Sequence, residues 1–117
     1  MTNWNLTRCR AQWGGRELYM SEDEIKLYLL DILEDLNEKK ISRKTAINRL
    51  NQNKNLEKVI VNRNVCFCIS DCYFMIKHLL EENITDIEIE YFIDCFRNKR
   101  EYNLKEKNQL ILKELSV

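Results

Sequence analysis

The chain contains no proline and only two glycines, which stand together as Gly14 and Gly15. Turns rely on these two residue types, because proline fixes φ and glycine adopts backbone angles that other residues avoid. An all-β fold of 117 residues would need many turns. The shortage therefore argues against an all-β fold and favours helices that are joined by short polar segments.

The sequence also lacks any long apolar run. No stretch of about 18 uncharged apolar residues is present, so we expect no transmembrane helix. The first residues show no basic stretch followed by an apolar one, the pattern of a secretion signal. We therefore expect a cytoplasmic protein. Its five cysteines are an odd number, and in that compartment they should be reduced thiols rather than a disulfide framework.

Residues suited to catalysis are few. His78 is the single histidine, and on a helix it would share a face with Asp71, but no serine or cysteine stands in line as a nucleophile. A Gly-rich phosphate loop and the zinc-protease and kinase signatures are absent. Cys66, Cys68 and Cys72 lie in an apolar segment without the paired short spacings of a zinc site. We predict that the protein is not an enzyme and holds neither a metal nor a cofactor.

Charged residues make up 32% of the chain, and they occur in blocks of alternating sign. Residues 21–38 carry a net charge of −6, and residues 39–64 carry +7. Residues 65–96 return to −6, while the terminal segments 1–20 and 97–117 carry +2 and +3. The total is zero, but segregated charge gives different faces opposite potentials, which suits steering toward a charged partner.

The first predicted helix follows Ser21, which forms a capping box with Glu24. Apolar residues then recur with the spacing of one buried helix face. They are Ile25, Tyr28, Leu29, Ile32, Leu33 and Leu36. Lys39 and Lys40 suit the negative end of the helix dipole, so we expect the helix to end near them.

A short second helix over residues 43–53 is predicted to follow Ser42. Segment 56–69 is open to two interpretations, a β-hairpin or helix, because it holds two short apolar runs around a polar break. A third helix over 65–82 is preferred, since its apolar run is too long for one strand. This helix is apolar over most of its circumference, which is typical of a central buried helix. Its broad apolar face is formed by Val65, Cys68, Ile69, Cys72, Ile76, Leu79 and Leu80.

Two more helices are predicted over 86–98 and 104–115, where Thr85 and Asn103 provide the caps. The last helix is expected to face inward with Leu104, Ile111, Leu112 and Leu115. The fold class is therefore all-α, a bundle of four to five helices. We expect one domain over 1–117, with a short non-helical lead-in over 1–20 and the bundle over 21–117.

The outer face of the first helix carries a candidate interface. At about 100° per residue, Leu27 and Leu30 fall opposite the core stripe and among acidic side chains. Apolar anchors inside a charged rim are typical of protein interfaces. The candidate residues are Asp23, Leu27, Leu30, Asp31, Glu34 and Glu38. The alternative is that the two leucines pack under the N-terminal segment.

The helix over 86–98 carries a second candidate, in which Tyr91 stands beside acidic residues and off the main apolar stripe. A tyrosine ringed by carboxylates can offer a basic partner an apolar ring, a hydroxyl and an acidic rim. The candidate residues are Glu88, Tyr91 and Asp94. The alternative is a second contact with the core beside a solvated acidic edge.

The basic block over 39–63 invites a comparison with helix-turn-helix proteins, because two predicted helices meet there at a short turn. However, DNA-binding domains usually carry a basic balance overall. This chain is neutral, and its two acidic blocks would repel phosphate. The preferred interpretation is that the basic block balances the acidic helices inside the protein, so a nucleic acid is not the expected partner.

A helix, a Lys-Ile-Ser junction, a second helix and a long apolar helix follow one another along the chain. The segments are LLDILEDLNEKKISRKTAINRL, CFCISDCYFMIKHLLEE and ITDIEIEYFIDCF. In this order of elements the sequence resembles the all-helical bacterial immunity proteins of the colicin D and contact-dependent growth inhibition type. The resemblance covers about residues 25–97 and leaves out the first 20 residues.

The resemblance implies an immunity protein that binds a cognate nuclease toxin domain, often one that cleaves tRNA, and covers its active site. Helix carboxylates would then occupy the phosphate positions of a basic cleft. One alternative is a phage or mobile-element inhibitor of the anti-restriction or anti-CRISPR type. Another is a small nucleic-acid-binding regulator that uses residues 39–63. An exposed leucine face would equally serve a homodimer.

Overall fold

Six helices make up the part of the chain that the computed structural model describes, which is residues 20–63 and 65–115. They are α1 (Glu22–Asn37), α2 (Arg43–Asn51), α3 (Leu56–Asn62), α4 (Phe67–Lys77), α5 (Asp86–Phe96) and α6 (Leu104–Leu115). No strand occurs in these ranges, so the all-α prediction is confirmed. Six is one more than the upper end of the expected four to five helices. The predicted lead-in over 1–20 lies, apart from Met20, outside the described residues.

Helix α1 begins as the sequence predicts. The Ser21 hydroxyl accepts from the Glu24 amide at 3.1 Å, and the Glu24 carboxylate accepts from the Ser21 amide at 2.9 Å. This capping box satisfies two backbone groups that a helix start leaves without partners. The predicted stripe faces inward: Tyr28 is half-buried, and the other members, Ile25, Leu29, Ile32, Leu33 and Leu36, are all buried.

The extra helix is α3, which settles the open question at 56–69 in favour of helix. Leu56 and Ile60 are buried while Val61 is exposed. Residues four apart share a face in a helix and in a strand alike, but a strand would also turn Lys58 to the side of Leu56 and Ile60. Lys58 is exposed, which agrees with helical spacing here.

Helix α4 lies at the centre, and it buries residues on most of its circumference. It ends at Lys77, earlier than the expected residue 82. The turn that follows keeps Leu79 inside but carries Leu80 out to the surface, so the prediction that Leu80 faces the core is wrong. Helical spacing no longer applies beyond Lys77, and the turn decides which leucine is covered.

Helix α6 differs most from its prediction. Three of its expected inward residues, Leu104, Leu112 and Leu115, are exposed, and Ile111 is half-buried. The buried residue of this helix is Lys107. Periodicity correctly predicted a helix with an apolar face here. However, the side of the helix that carries Lys107 packs against the rest of the protein, and the apolar face does not.

The helices pack around a cluster of buried side chains drawn from α1 to α5 and the segments between them. Helix α1 packs most extensively against α5, and it also contacts α2 and α4. The backbone of α6 approaches only α5 among the described helices. No helix in the described ranges has the length and apolarity that crossing a bilayer requires.

Candidate partner-binding surface

The predicted residues of α1 lie together on its outer side. We call this set the α1 surface: Asp23, Leu27, Leu30, Asp31, Glu34 and Glu38. Leu27 is 46% exposed, between Asp23 and Asp31 at i−4 and i+4. Leu30 is half-buried and packs against the core. Leu27 is therefore the apolar residue that this surface presents.

Part of the acidic charge of the α1 surface is already paired within the protein. Asp31 forms an ion pair with Arg49, and Arg49 also contacts Asp35 at 2.7 Å. Glu34 pairs with Arg97. The Asp31 side chain nevertheless stays 68% exposed, because only its Oδ2 contacts the guanidinium. It keeps an oxygen with which to accept hydrogen bonds from a partner.

Asp23 and Glu38 occupy the two ends of the α1 surface. Asp23 is exposed and forms no ion pair with a described residue. Glu38 caps the end of α1 and contacts Lys40 at 3.1 Å, with both side chains largely in solvent. An exposed pair of this kind is worth little to stability and can be broken easily by a competing cation. The two ends thus retain their negative charge for an external partner.

Arg49 and Arg97 were not predicted from the sequence as neighbours of α1. The Asp35 carboxylate, as hydrogen-bond acceptor, raises the pKa of Arg49. The Tyr28 hydroxyl of α1 donates to the Arg49 carbonyl of α2. These interactions hold α2 beside α1. Alternation of acidic and basic blocks indicates such pairing in general, but it does not tell which arginine meets which carboxylate.

The second predicted set does not form an exposed surface. Tyr91 is 2% exposed, and its hydroxyl accepts from the Asn103 amide at 2.7 Å and donates to the Asn103 carbonyl at 3.0 Å. Glu88 is buried as well, while Asp94 is half-buried. These side chains are covered because the segment between α5 and α6 folds back over α5. We therefore remove Glu88 and Tyr91 from the candidate interface and retain their alternative, a contact with the core.

A buried charge cluster replaces that second surface. Lys107 is 5% exposed, and its Nζ contacts Asp71 Oδ2 at 2.6 Å and Glu88 Oε2 at 3.4 Å. The Tyr102 hydroxyl donates to the same Asp71 oxygen at 2.6 Å. The ammonium also lies 4.9 Å from the centre of the Phe92 ring, within range of a cation–π contact.

The ionisation of this cluster is governed by burial. Desolvation raises the pKa of Glu88, and the nearby Lys107 ammonium opposes that shift. Burial is the main cause that raises the pKa of Tyr102, and the hydrogen bond from its hydroxyl to Asp71 raises the pKa further. The sequence shows a capped amphipathic helix at 104–115 and gives no sign that one of its three lysines points inward. This cluster was therefore missed.

Most residues of the basic block contact other groups of the same chain. Lys39 contacts Asp86 at 3.4 Å, and Arg43 Nη2 donates to the Ile84 carbonyl at 2.7 Å. Together with the Arg49 pairs, these interactions agree with the interpretation that the block balances the acidic helices. The exceptions are the lysines that form no ion pair with any residue that the structure describes, namely Lys44, Lys54 and Lys58.

The cysteines and the histidine form no obvious reactive site in the described ranges. Cys68 and Cys72 are buried, and burial raises the pKa of both thiols, which disfavours the reactive thiolate. His78 Nδ1 lies 2.7 Å from Glu81 Oε1 on the surface of the turn after α4. Among the residues that the structure describes, no group of three or more His, Cys, Asp or Glu side chains is placed to hold a metal ion.

Comparison with known proteins adds no assignment. No family model matches the sequence, and no curated protein or solved structure is significantly similar to the chain. We therefore infer the function from the α1 surface and from the resemblance in the order of helices.

Proposed function

We propose that the protein is a non-catalytic inhibitor of the immunity type, which binds a nuclease toxin domain through the α1 surface. One observation supports this proposal most: Leu27 stands exposed between Asp23 and Asp31 on a helix whose opposite side is fully packed. The arrangement supplies an apolar anchor with an acidic rim.

The chemistry of a nuclease fits such a surface. An enzyme that cleaves RNA must present cationic groups to the phosphates of its substrate. Carboxylates on α1 would accept charge-assisted hydrogen bonds from those groups in place of the phosphates. Opposite potentials would also speed association and make its rate depend on salt.

The rigidity of α1 supports the same role. Its inner side packs against α2, α4 and α5, and its start is fixed by the capping box. A partner would therefore not have to order this helix, which removes one of the entropic costs of binding.

The test is co-expression of the protein with the product of the gene immediately upstream in its genome, followed by co-purification and a growth assay. We expect a stable complex and rescued growth. Leu27→Ala should weaken binding of the purified pair about tenfold. Asp23→Lys should slow association, with an effect that shrinks as salt is raised. Glu90→Lys is the matched control, because Glu90 is an exposed carboxylate on α5.

Two results would contradict the proposal. One is the absence of both a toxic neighbour and a complex, which would transfer attention to a phage or mobile-element target for the same surface. The other is a complex whose affinity and association rate are unchanged by Asp23→Lys and Leu27→Ala together. That result would place the interface elsewhere on the molecule.

A further inference from the structure

The last helix is attached to the rest of the protein in an unusual way. Among the described helices, the backbone of α6 approaches only α5, and its buried residue is Lys107. Leu104, Leu112 and Leu115 are exposed, and Leu110 and Ile111 are half-buried, so α6 contributes little apolar area to the core. The buried contact of the helix itself is a charged side chain in a receiving cleft, and the segment before it is held by hydrogen bonds between Tyr91 and Asn103.

We call this receiving site the Lys107 cleft, and it is formed by Asp71 of α4 with Glu88 and Phe92 of α5. The cleft takes the ammonium at 2.6 Å from Asp71 and 3.4 Å from Glu88. Tyr102 enters with Lys107, since its ring stacks on Phe92 at 6.2 Å between centroids and its hydroxyl donates to Asp71. Tyr102 and α6 thus dock as one arm.

A short link joins this arm to α5. After Phe96 the chain turns back at Asn98, whose φ is 61°. This left-handed conformation disfavours most residues but suits asparagine at the end of a helix. If residues 97–100 straightened, they would span about 13 Å at roughly 3.3 Å per residue. The arm could then leave its own cleft without unfolding α5.

The cleft and the arm match each other in any copy of the chain. Release of the arm returns Lys107, Asp71 and Glu88 to water, which recovers the desolvation cost of burying them. Release also uncovers Tyr91 and Phe92, which is unfavourable until another arm covers them. A second copy offers the same lysine, the same tyrosine and the same geometry, so the interactions that opening breaks within one copy can form again between two.

We propose that α6 is an exchangeable helix, and that the Lys107 cleft accepts Lys107 from a second copy of this chain. The closed monomer and the exchanged dimer then differ mainly at residues 97–100 and in the entropy of association. Protein concentration decides between them. The proposal does not depend on the α1 surface or on its partner.

A charge-swap experiment tests the exchange. The Lys107→Glu chain has an acidic arm that its own cleft repels, and the Asp71→Lys chain places a second ammonium beside its own Lys107. Mixed and refolded together, each can accept the arm of the other. We expect the mixture to sediment with the mass of two chains, whereas each variant alone does not form this dimer.

Controls separate exchange from simple association. The double variant Lys107→Glu with Asp71→Lys can close on itself and should behave as the wild type does. Lys105→Glu makes the same charge change at an exposed position of α6 and should not pair with Asp71→Lys. Helix content, followed by circular dichroism, reports whether each single variant folds alone; recovery of folding on mixing would itself support exchange.

Wild-type protein provides an independent measurement. Refolding at high chain concentration should raise the dimer fraction relative to refolding at low concentration. A wild-type monomer after refolding at every concentration, together with no dimer in the charge-swap mixture, would overturn the proposal.

Discussion

Glu88 shares the Lys107 ammonium with Asp71, and this sharing has a consequence for stability. With both carboxylates ionised, the cleft holds two negative charges against one positive charge. Burial disfavours the Glu88 carboxylate and raises its pKa in the folded state, although Lys107 opposes the shift. Protonation of Glu88 leaves Lys107 and Asp71 as a balanced pair, so the cleft is better satisfied when Glu88 is neutral.

The expected pH dependence follows from the direction of that shift. A carboxyl whose folded pKa is raised contributes stability that is fully present below its unfolded value of about 4.3. This contribution is lost as the pH rises through the folded pKa. Glu88→Gln keeps a neutral hydrogen-bonding side chain at all pH values. The variant should therefore gain stability relative to the wild type as the pH is raised from about 4 toward 8.

Urea unfolding of both proteins across this pH range measures the effect. Glu90→Gln is the control, because Glu90 lies on the same helix but is exposed. It should give a profile parallel to that of the wild type. If the Glu88→Gln profile were also parallel to the wild type, the Glu88 carboxyl would not have the raised pKa that its burial implies.

Helix α6 has a single buried side chain, and this should affect how easily the helix opens locally. An element opens locally with a free energy that reflects the packing and hydrogen bonds that opening disrupts. Opening of α1 would expose five buried apolar side chains, whereas α6 withdraws only Lys107 and uncovers part of α5. The amides of α6 should therefore be clearly less protected from hydrogen exchange than the amides of α1.

Hydrogen exchange of the full chain tests this difference. Amides in the interior of α6 should exchange through openings that cost several kcal/mol less than those of α1. Lys107→Met removes the charge but keeps an unbranched side chain, and it should leave protection of α1 unchanged while it alters that of α6. Exchange of both helices at one common rate would show that α6 opens only when the whole protein unfolds.

At the scale of the whole molecule, α1 makes the most extensive contact between two helices, with α5, and it also contacts α2 and α4. Its inner side lies in the core, and its outer side carries the α1 surface. The ion pairs of Arg49 connect α1 to the next helix, α2, and the ion pair of Arg97 connects α1 to the end of α5. The packing that stabilises the fold and the proposed binding surface therefore lie on opposite sides of the same helix, and mutations can separate the two.

Leu29→Ala and Leu27→Ala form a matched pair for that separation. Leu29 is fully buried, so its truncation should lower the free energy of unfolding by about 2–5 kcal/mol. Leu27 is exposed on the same helix, and its truncation should change stability by no more than about 0.5 kcal/mol. Denaturant unfolding followed by circular dichroism measures both values. Equal reductions would mean that Leu27 is covered in solution, which would also weaken the proposed function.

Much of the fold was predictable because local rules agreed with tertiary packing. The Ser21–Glu24 capping box and the stripe from Ile25 to Leu36 depend only on neighbours along the chain, and the structure confirms both. The start of α5 after Thr85 was predicted on the same basis. For the candidate site, helical periodicity was enough to place Leu27 on the outer side of α1.

Errors arose where local patterns allowed two outcomes. Tyr91 lies off the main stripe of α5, and periodicity alone could not show that Asn103 and Tyr102 would fold back over it. The leucines of α6 form a regular apolar face, yet α6 docks through Lys107 because Asp71 and Glu88 converge on the other side of the helix.

The amino-acid sequence by itself determined the all-α class, the helix starts and the outward position of Leu27, because capping and periodicity act within a few residues. Only the tertiary structure decided that Glu88 and Tyr91 are covered, that Arg49 and Arg97 pair with α1, and that Lys107 is buried. These features depend on which segments meet after folding. Charge pairing and burial are set by distances in space, and the spacing of residues along one helix does not contain that information.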